Sequence, residues 1–266
     1  MKLNRCTVTG NLKALLFDVD GTLADTERDG HRVAFNQAFA DAGLDWHWSV
    51  ETYGQLLEVT GGKERIRYFI EMVDMNVHPT IGLGKGAGVD LDGFISTLHQ
   101  SKTRHFISLL QSGAIPLRPG VERLLNEARA ARLRLAIVTT TTPENVTALL
   151  TATLGKESIA WFDVIAAGDV VAEKKPAPDI YQYALQKLGL KASECLAFED
   201  SEHGLLSATR AGLKTIVIVN DYTRDQDFSA AEIVLDQLDN PDFQLKTIIS
   251  IFTRQAETSY AVKESF

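Results

Sequence analysis

Short apolar runs that stop abruptly in acids or hydroxyls alternate along this chain with longer stretches of helical period. Ala14 to Phe17 runs into Asp18, Val19, Asp20 and Gly21, and Leu133 to Val138 runs into four threonines, Thr139 to Thr142. Phe162 to Ala167 stops at Gly168-Asp169, and Cys195 to Phe198 stops at Glu199-Asp200. Thr215 to Val219 and Ile233 to Leu235 are further runs of the same kind. Apolar runs this short, closed by turn residues, read as strands buried on both faces of a parallel sheet. Between the first and second runs the period changes. Val33, Phe35, Ala38, Phe39 and Ala42 recur at helical spacing until Gly43, and Leu56, Leu57, Ile66, Phe69, Ile70 and Val73 continue in the same manner. Asp90 caps a helix carrying Phe94, Ile95 and Leu98, Pro119-Gly120 opens one from Val121 to Ala131, and Pro143 starts another. The glycine-rich stretch Gly82 to Gly88 does not fit G-x-G-x-x-G and reads as a surface link. The tail from Gln255 to Phe266 carries no periodic signal. Strands alternating with helices predict an α/β fold, interrupted after its first strand by an all-helical insert.

Composition narrows the partners. The chain has 266 residues, enough for one large domain or a core with a smaller insert, and a net charge of -8, which argues against nucleic acid as a partner. No apolar run approaches the ~20 residues of a membrane span, so no membrane partner is expected. Met1 to Lys13 is polar and too short for a signal peptide. Cys6 and Cys195 are too few for a metal or disulfide framework, so a reducing, cytoplasmic setting is expected, with a plastid stroma also compatible.

Chemistry concentrates at the strand ends. Residues two apart on a strand point the same way, so Asp18 and Asp20 converge above the carboxyl edge of the sheet, where open α/β folds bind ligands. Paired carboxylates repel unless neutralised, and a hard divalent cation such as Mg²⁺ neutralises them with oxygen ligands. Glu199-Asp200 repeats this grammar. A hydroxyl at a strand end beside a helix N-terminus, as at Thr139, suits a phosphoryl oxygen. Lys175 precedes Pro176 just before a helix, where a cation is disfavoured unless it faces acids or phosphate.

These four segments, in this order, resemble motifs I to IV of the haloacid dehalogenase-like (HAD) phosphohydrolases. The resemblance covers roughly Leu12 to Asn240. It implies a Rossmann-like parallel-sheet core, residues 1–26 and 115–266, with an inserted α-helical cap of the C1 type, residues 27–114. It makes Asp18 the nucleophile and Asp20 the general acid/base, with Thr139, the Thr140 amide and Lys175 on the phosphoryl group. Mg²⁺ would be held by Asp18, Asp20 and Asp200, with Glu199 either a further ligand or a partner for Lys175.

Glu27 to Asn36, Asp45 to Trp48 and Thr60 to Ile66 further resemble the CbbY-type branch of that family. That branch contains phosphatases of ketopentose bisphosphates, notably xylulose-1,5-bisphosphate. The resemblance implies substrate contacts from Glu27, Tyr53, Gly62 and Lys63, and His31, Lys102 and Arg104 lie on the same insert. Taken singly, each of these also reads as a solvated surface group. A small sugar (bis)phosphate is therefore the expected substrate of a monomeric enzyme. A β-phosphoglucomutase-type mutase, a general sugar phosphatase and a catalytically silent binding module remain open alternatives at this level.

Overall fold

The computed structural model describes residues 11–75, 90–241 and 243–261, so the glycine-rich stretch Gly82 to Gly88 lies outside the described residues. Six parallel strands form one sheet: β1 (Ala14–Phe17), β2 (Arg134–Thr139), β3 (Phe162–Ala167), β4 (Cys195–Glu199), β5 (Lys214–Ile218) and β6 (Ile233–Leu235), in the order β3-β2-β1-β4-β5-β6. β1 alternates strictly between two cores. Leu15 and Phe17 join the larger apolar cluster on one face, and Ala14 and Leu16 join the smaller on the other.

Register explains why the polar strand ends meet. Phe17 pairs with Ile137 on one side and Phe198 on the other. The next residue of β1's chain, Asp18, therefore stands beside Val138 and Glu199, and its amide donates to the Phe198 carbonyl at 3.0 Å. Two acidic strand ends and one threonine strand end are thereby brought to a single edge by the pairing alone.

The larger face is covered by α5 (Val121–Ala130), α6 (Pro143–Leu154) and α9 (Leu245–Ala261), and the smaller by α7 (Asp179–Leu188) and α8 (Glu202–Arg210). Helix α9 corrects the expectation of a tail without structure from Gln255. Its apolar residues Ile248, Ile249 and Phe252 pack on the core, and the helix continues past them to Ala261. No helix among the described residues is long and apolar enough to cross a membrane.

Between β1 and α5 the described elements are helical: a π-helical turn (Glu27–His31) running into α1 (Arg32–Asp41), then α2 (Val50–Leu56), α3 (Gly62–Met75) and α4 (Leu91–Gln111). These helices have an aromatic core of their own. Phe35, Phe39, Trp48 and Tyr53 are buried together, with Trp46 and Phe69 edge-on to its rings. The segment before α2 is clamped to α1, because Asn36 accepts from the Trp48 amide at 2.8 Å and donates to its carbonyl at 3.0 Å. Tyr53 lies inside α2. Helix α4 serves both cores: Ile95 and Leu98 enter the aromatic cluster, whereas Phe106 and Leu110 enter the larger core beside the sheet.

Candidate active site

A cleft of about 600 Å³ opens between the carboxyl edge of the sheet and the helical insert. Asp18, Asp20, Thr139, Thr140, Lys175, Glu199 and Asp200 line it from the sheet side, and Glu27 and Arg65 from the insert. Lys175 is the hub. Its ammonium donates to Asp18 Oδ1 at 2.7 Å, to Glu199 Oε1 at 2.7 Å and to the Val138 carbonyl at 2.9 Å. Burial opposes its charge, but Asp18 and Glu199 outweigh burial and raise its pKa. Tyr181, from α7, also donates to Glu199 Oε1.

One ammonium cannot balance the three buried carboxylates of Asp18, Glu199 and Asp200. Burial pushes Asp18 up to about 8 against the pull of Lys175, with Glu199 and Asp20 adding to the rise. Burial likewise raises Asp200, and Asp18 and Glu199 add to it. One oxygen from each of the three acids lies within 4.8 Å of the others. Glu199 Oε2 is buried without a hydrogen-bond partner. A cluster of oxygen donors with excess negative charge and an orphaned carboxylate oxygen fits a hard divalent cation. The floor beneath is tight: a Cβ at Gly204, in the first turn of α8, would come within 1.8 Å of Glu199 Oε2.

Asp20 is held differently. It accepts from Thr26 Oγ1 at 2.6 Å, and its Oδ1 lies 2.8 Å from His31 Nε2. The other ring nitrogen, Nδ1, lies 2.7 Å from the ammonium of buried Lys102. With Lys102 donating to Nδ1, the proton of His31 sits on Nε2 and points at Asp20. Burial alone would raise Asp20, but His31, Thr26 and Lys102 together hold it well below the usual carboxylate range. Lys102 is itself pulled down to about 8 by burial, with Asp20 and Glu27 opposing. The His31 ring stacks on Phe106 with centroids 3.9 Å apart, and the Lys102 ammonium lies 5.0 Å from the Phe35 and Phe106 ring centres.

The insert residues fall into separate places. Tyr53 stands behind Glu27, donating to it and accepting from Arg65 Nη1 at 2.9 Å; Arg65 is anchored by the Leu56 carbonyl at 3.0 Å. Gly62 and Lys63 line an adjoining cleft, which shares Thr140 with the first. There Lys63 pairs with Asp169 of the loop after β3, and Lys174 pairs with the same carboxylate at 2.5 Å. Arg104 sits exposed on α4 and lines neither cleft.

Sequence reading missed several members. Asn220, two residues past the end of β5, donates to Asp200 Oδ2 at 2.7 Å. Tyr222 lines the cleft and meets the insert at Gly54, where its ring would be 3.2 Å from a Cβ, and at Tyr53. His203, whose Nδ1 lies 3.1 Å from Thr60 Oγ1, joins the two parts at the far wall. A polar residue closing a strand run is the signal that would have found Asn220; Tyr222 and His203 carry none.

Comparison with known proteins places the chain in a family. A family model described as haloacid dehalogenase-like hydrolase matches residues 12–212. Protein CbbY of Rhodobacter capsulatus is 52% identical over 221 residues, 83% of this chain and 91% of that protein. The crystal structure of CbbY from Rhodobacter sphaeroides with phosphate superposes with a TM-score of 0.76 at 47% identity, covering 86% of this chain and 96% of that one. A mutant of the same protein in complex with xylulose-(1,5)bisphosphate gives a TM-score of 0.76 at 46% identity, over the same shares of each chain.

Proposed function

This chain belongs to the haloacid dehalogenase-like hydrolases and is a phosphatase, and on that premise we propose that it dephosphorylates xylulose-1,5-bisphosphate with Mg²⁺ through an aspartyl-phosphate. The observation that carries the chemistry is the Lys175 ammonium bridging Asp18 and Glu199 beside Asp200 in the cleft floor.

Asp18, Glu199 and Asp200 would hold the cation, which neutralises the charge of the phosphoryl group and of the carboxylate approaching it. Lys175 holds one oxygen of Asp18 and leaves the other to attack phosphorus in line. The phosphorus–alkoxide bond breaks as the new bond to Asp18 forms, and protonated Asp20 gives its proton to the departing alkoxide. Asp20, now ionised, takes a proton from water, and the hydroxide displaces the phosphoryl group from Asp18 as inorganic phosphate. His31, Thr26 and Lys102 stabilise Asp20 as the anion, the form it holds between the two transfers, and the proton it takes from water at the end of one turnover is the one it gives to the alkoxide at the start of the next. Thr139 and the Thr140 amide, just ahead of α6, receive the equatorial oxygens.

Residues 27–114 act as the cap over a core of residues 1–26 and 115–266, excluding bulk water from the cleft. Glu27, oriented by Tyr53, meets the sugar hydroxyls. The glycine-led start of α3, with Gly62 and Lys63, receives the phosphate that does not react, once Lys63 leaves Asp169. The enzyme works as a cytoplasmic monomer.

The test is phosphate release from xylulose-1,5-bisphosphate and ribulose-1,5-bisphosphate, side by side with Mg²⁺. Fast turnover of the first with the second spared is the expected result. Equal rates would mean that the cap does not read this stereocentre, and would withdraw the substrate assignment. An Asp18→Asn variant that still turns over would sink the aspartyl-phosphate.

A further inference from the structure

We infer that Arg118 is a positioning residue for the cation site, acting through Gly21 and Asn220 without touching substrate. The inference rests on the divalent-cation reading above and concerns how its acids are kept in place.

Arg118 stands where the chain returns from the helical insert to the sheet. The two terminal nitrogens of its guanidinium donate to backbone carbonyls from three separate segments. Nη1 donates to Gly21 and, at 3.0 Å, to Ile218; Nη2 donates to Val219 at 2.6 Å and to Asp236 at 2.9 Å. Its own amide donates to the Leu23 carbonyl at 2.8 Å, so side chain and backbone bracket the turn that follows Asp18 and Asp20. Ala24 and Leu117 form an antiparallel bridge at the same point.

The segments it ties are those that set Asp200. Gly21 lies over that carboxylate at a φ of +81°; a Cβ there would be 2.0 Å from Asp200 Oδ2 and 2.7 Å from Asn220 Nδ2. Asn220 follows the tied carbonyls of Ile218 and Val219, and its amide donates to Asp200 Oδ2 at 2.7 Å. Its own carbonyl oxygen Oδ1 accepts from the Tyr222 amide at 2.9 Å, which fixes the flip. One planar five-donor group thus fixes, from below, the turn bearing Asp18 and Asp20 and the strand end that orients Asp200. Lysine, a point charge with three donors, cannot span these carbonyls in the same plane.

The experiment is calorimetric titration of Mg²⁺ into metal-stripped wild type, Arg118→Ala, Arg118→Lys and Asn220→Ala, with melting temperatures recorded in parallel. Expected are at least tenfold weaker Mg²⁺ binding in R118A, partial recovery in R118K, and a weakening in N220A with little change in melting temperature. The double variant R118A/N220A should bind no more weakly than R118A, since both lie on one path. R118A and N220A binding Mg²⁺ within twofold of wild type overturns the inference, whatever their melting temperatures. Should R118A fail to fold, N220A alone decides: weaker binding supports the path, and unchanged binding overturns it. Absence of any Mg²⁺ uptake by wild type overturns the cation reading and this inference with it, whereas uptake that the variants reproduce overturns the inference alone.

Discussion

Asp18→Asn should make the metal-free protein more stable at pH 8 while abolishing its chemistry. The substitution keeps the shape of the side chain and removes one of three buried negative charges. Burial holds Asp18 at about 8 against an ordinary 3.8. A folded-state pKa above the unfolded one means that the contribution of this group to stability is present below pH 4 and is lost as pH rises towards 8. A displacement of about four in pKa, at about 1.4 kcal/mol each, sets an upper bound of about 6 kcal/mol on that loss. Half of the bound would lift the melting temperature of the variant by about 6–12 °C in a chain of this size. Lys175 is not orphaned by the change, because it keeps Glu199 at 2.7 Å and the Val138 carbonyl at 2.9 Å. The assay is scanning calorimetry of both proteins after chelation, from pH 5 to pH 9. Taking the difference between them cancels the titrating groups that do not sense Asp18. The gap should widen with pH and level off above 8, and added Mg²⁺ should stabilise wild type more than the variant. A variant less stable than wild type at pH 8, or a gap independent of pH, would refute the picture of an undercompensated acid cluster.

Three further outcomes follow from the same geometry. Gly204→Ala should cost about 1–3 kcal/mol in thermal unfolding and weaken Mg²⁺ binding at least tenfold, because its Cβ would meet Glu199 Oε2 at 1.8 Å. Lys102→Met should slow turnover tenfold or more at pH 7 and erase the alkaline limb of the kcat/KM profile. In wild type that limb should fall near pH 8, where Lys102 loses the proton it shares with His31. Tyr53→Phe should raise KM several-fold with a smaller change in kcat, since it frees Glu27 and Arg65 from their common partner but keeps the ring in its aromatic cluster.

The sheet and the floor of the cleft were legible in the sequence because each rests on a local rule. A short apolar run fixes a strand, the parallel pairing aligns strand ends, and so Asp18, Thr139, Glu199 and Asp200 are brought to one edge by grammar that can be read a few residues at a time. Lys175 was legible by the oddity of a cation before a helix. The insert was not legible in the same way. His31 and Lys102 meet across 71 residues, and Lys63 and Asp169 across 106. No periodicity encodes such meetings, since they depend on how helices cross. Lys102 therefore stands behind His31 rather than in the cleft wall, and exposed Arg104, two residues on, faces elsewhere on the same helix. Arg118 stood in plain view as the residue before Pro119, but its four carbonyl partners belong to segments that only the folded sheet assembles.

Helix α4 has a bearing on protein engineering. Exchanging the insert between relatives is an obvious way to change which sugar is accepted, and residues 27 and 114 are the natural cut points by sequence. A chimaera cut there would carry Phe106 and Leu110 away with the foreign piece, although both side chains belong to the apolar cluster beneath the sheet, with Ala34 and Ile115. The recipient would inherit a misfitted plug at its own centre, and its failure would look like poor expression rather than altered specificity. A junction inside α4, after Leu98 and before Phe106, would leave each half of the helix with the core that it fills.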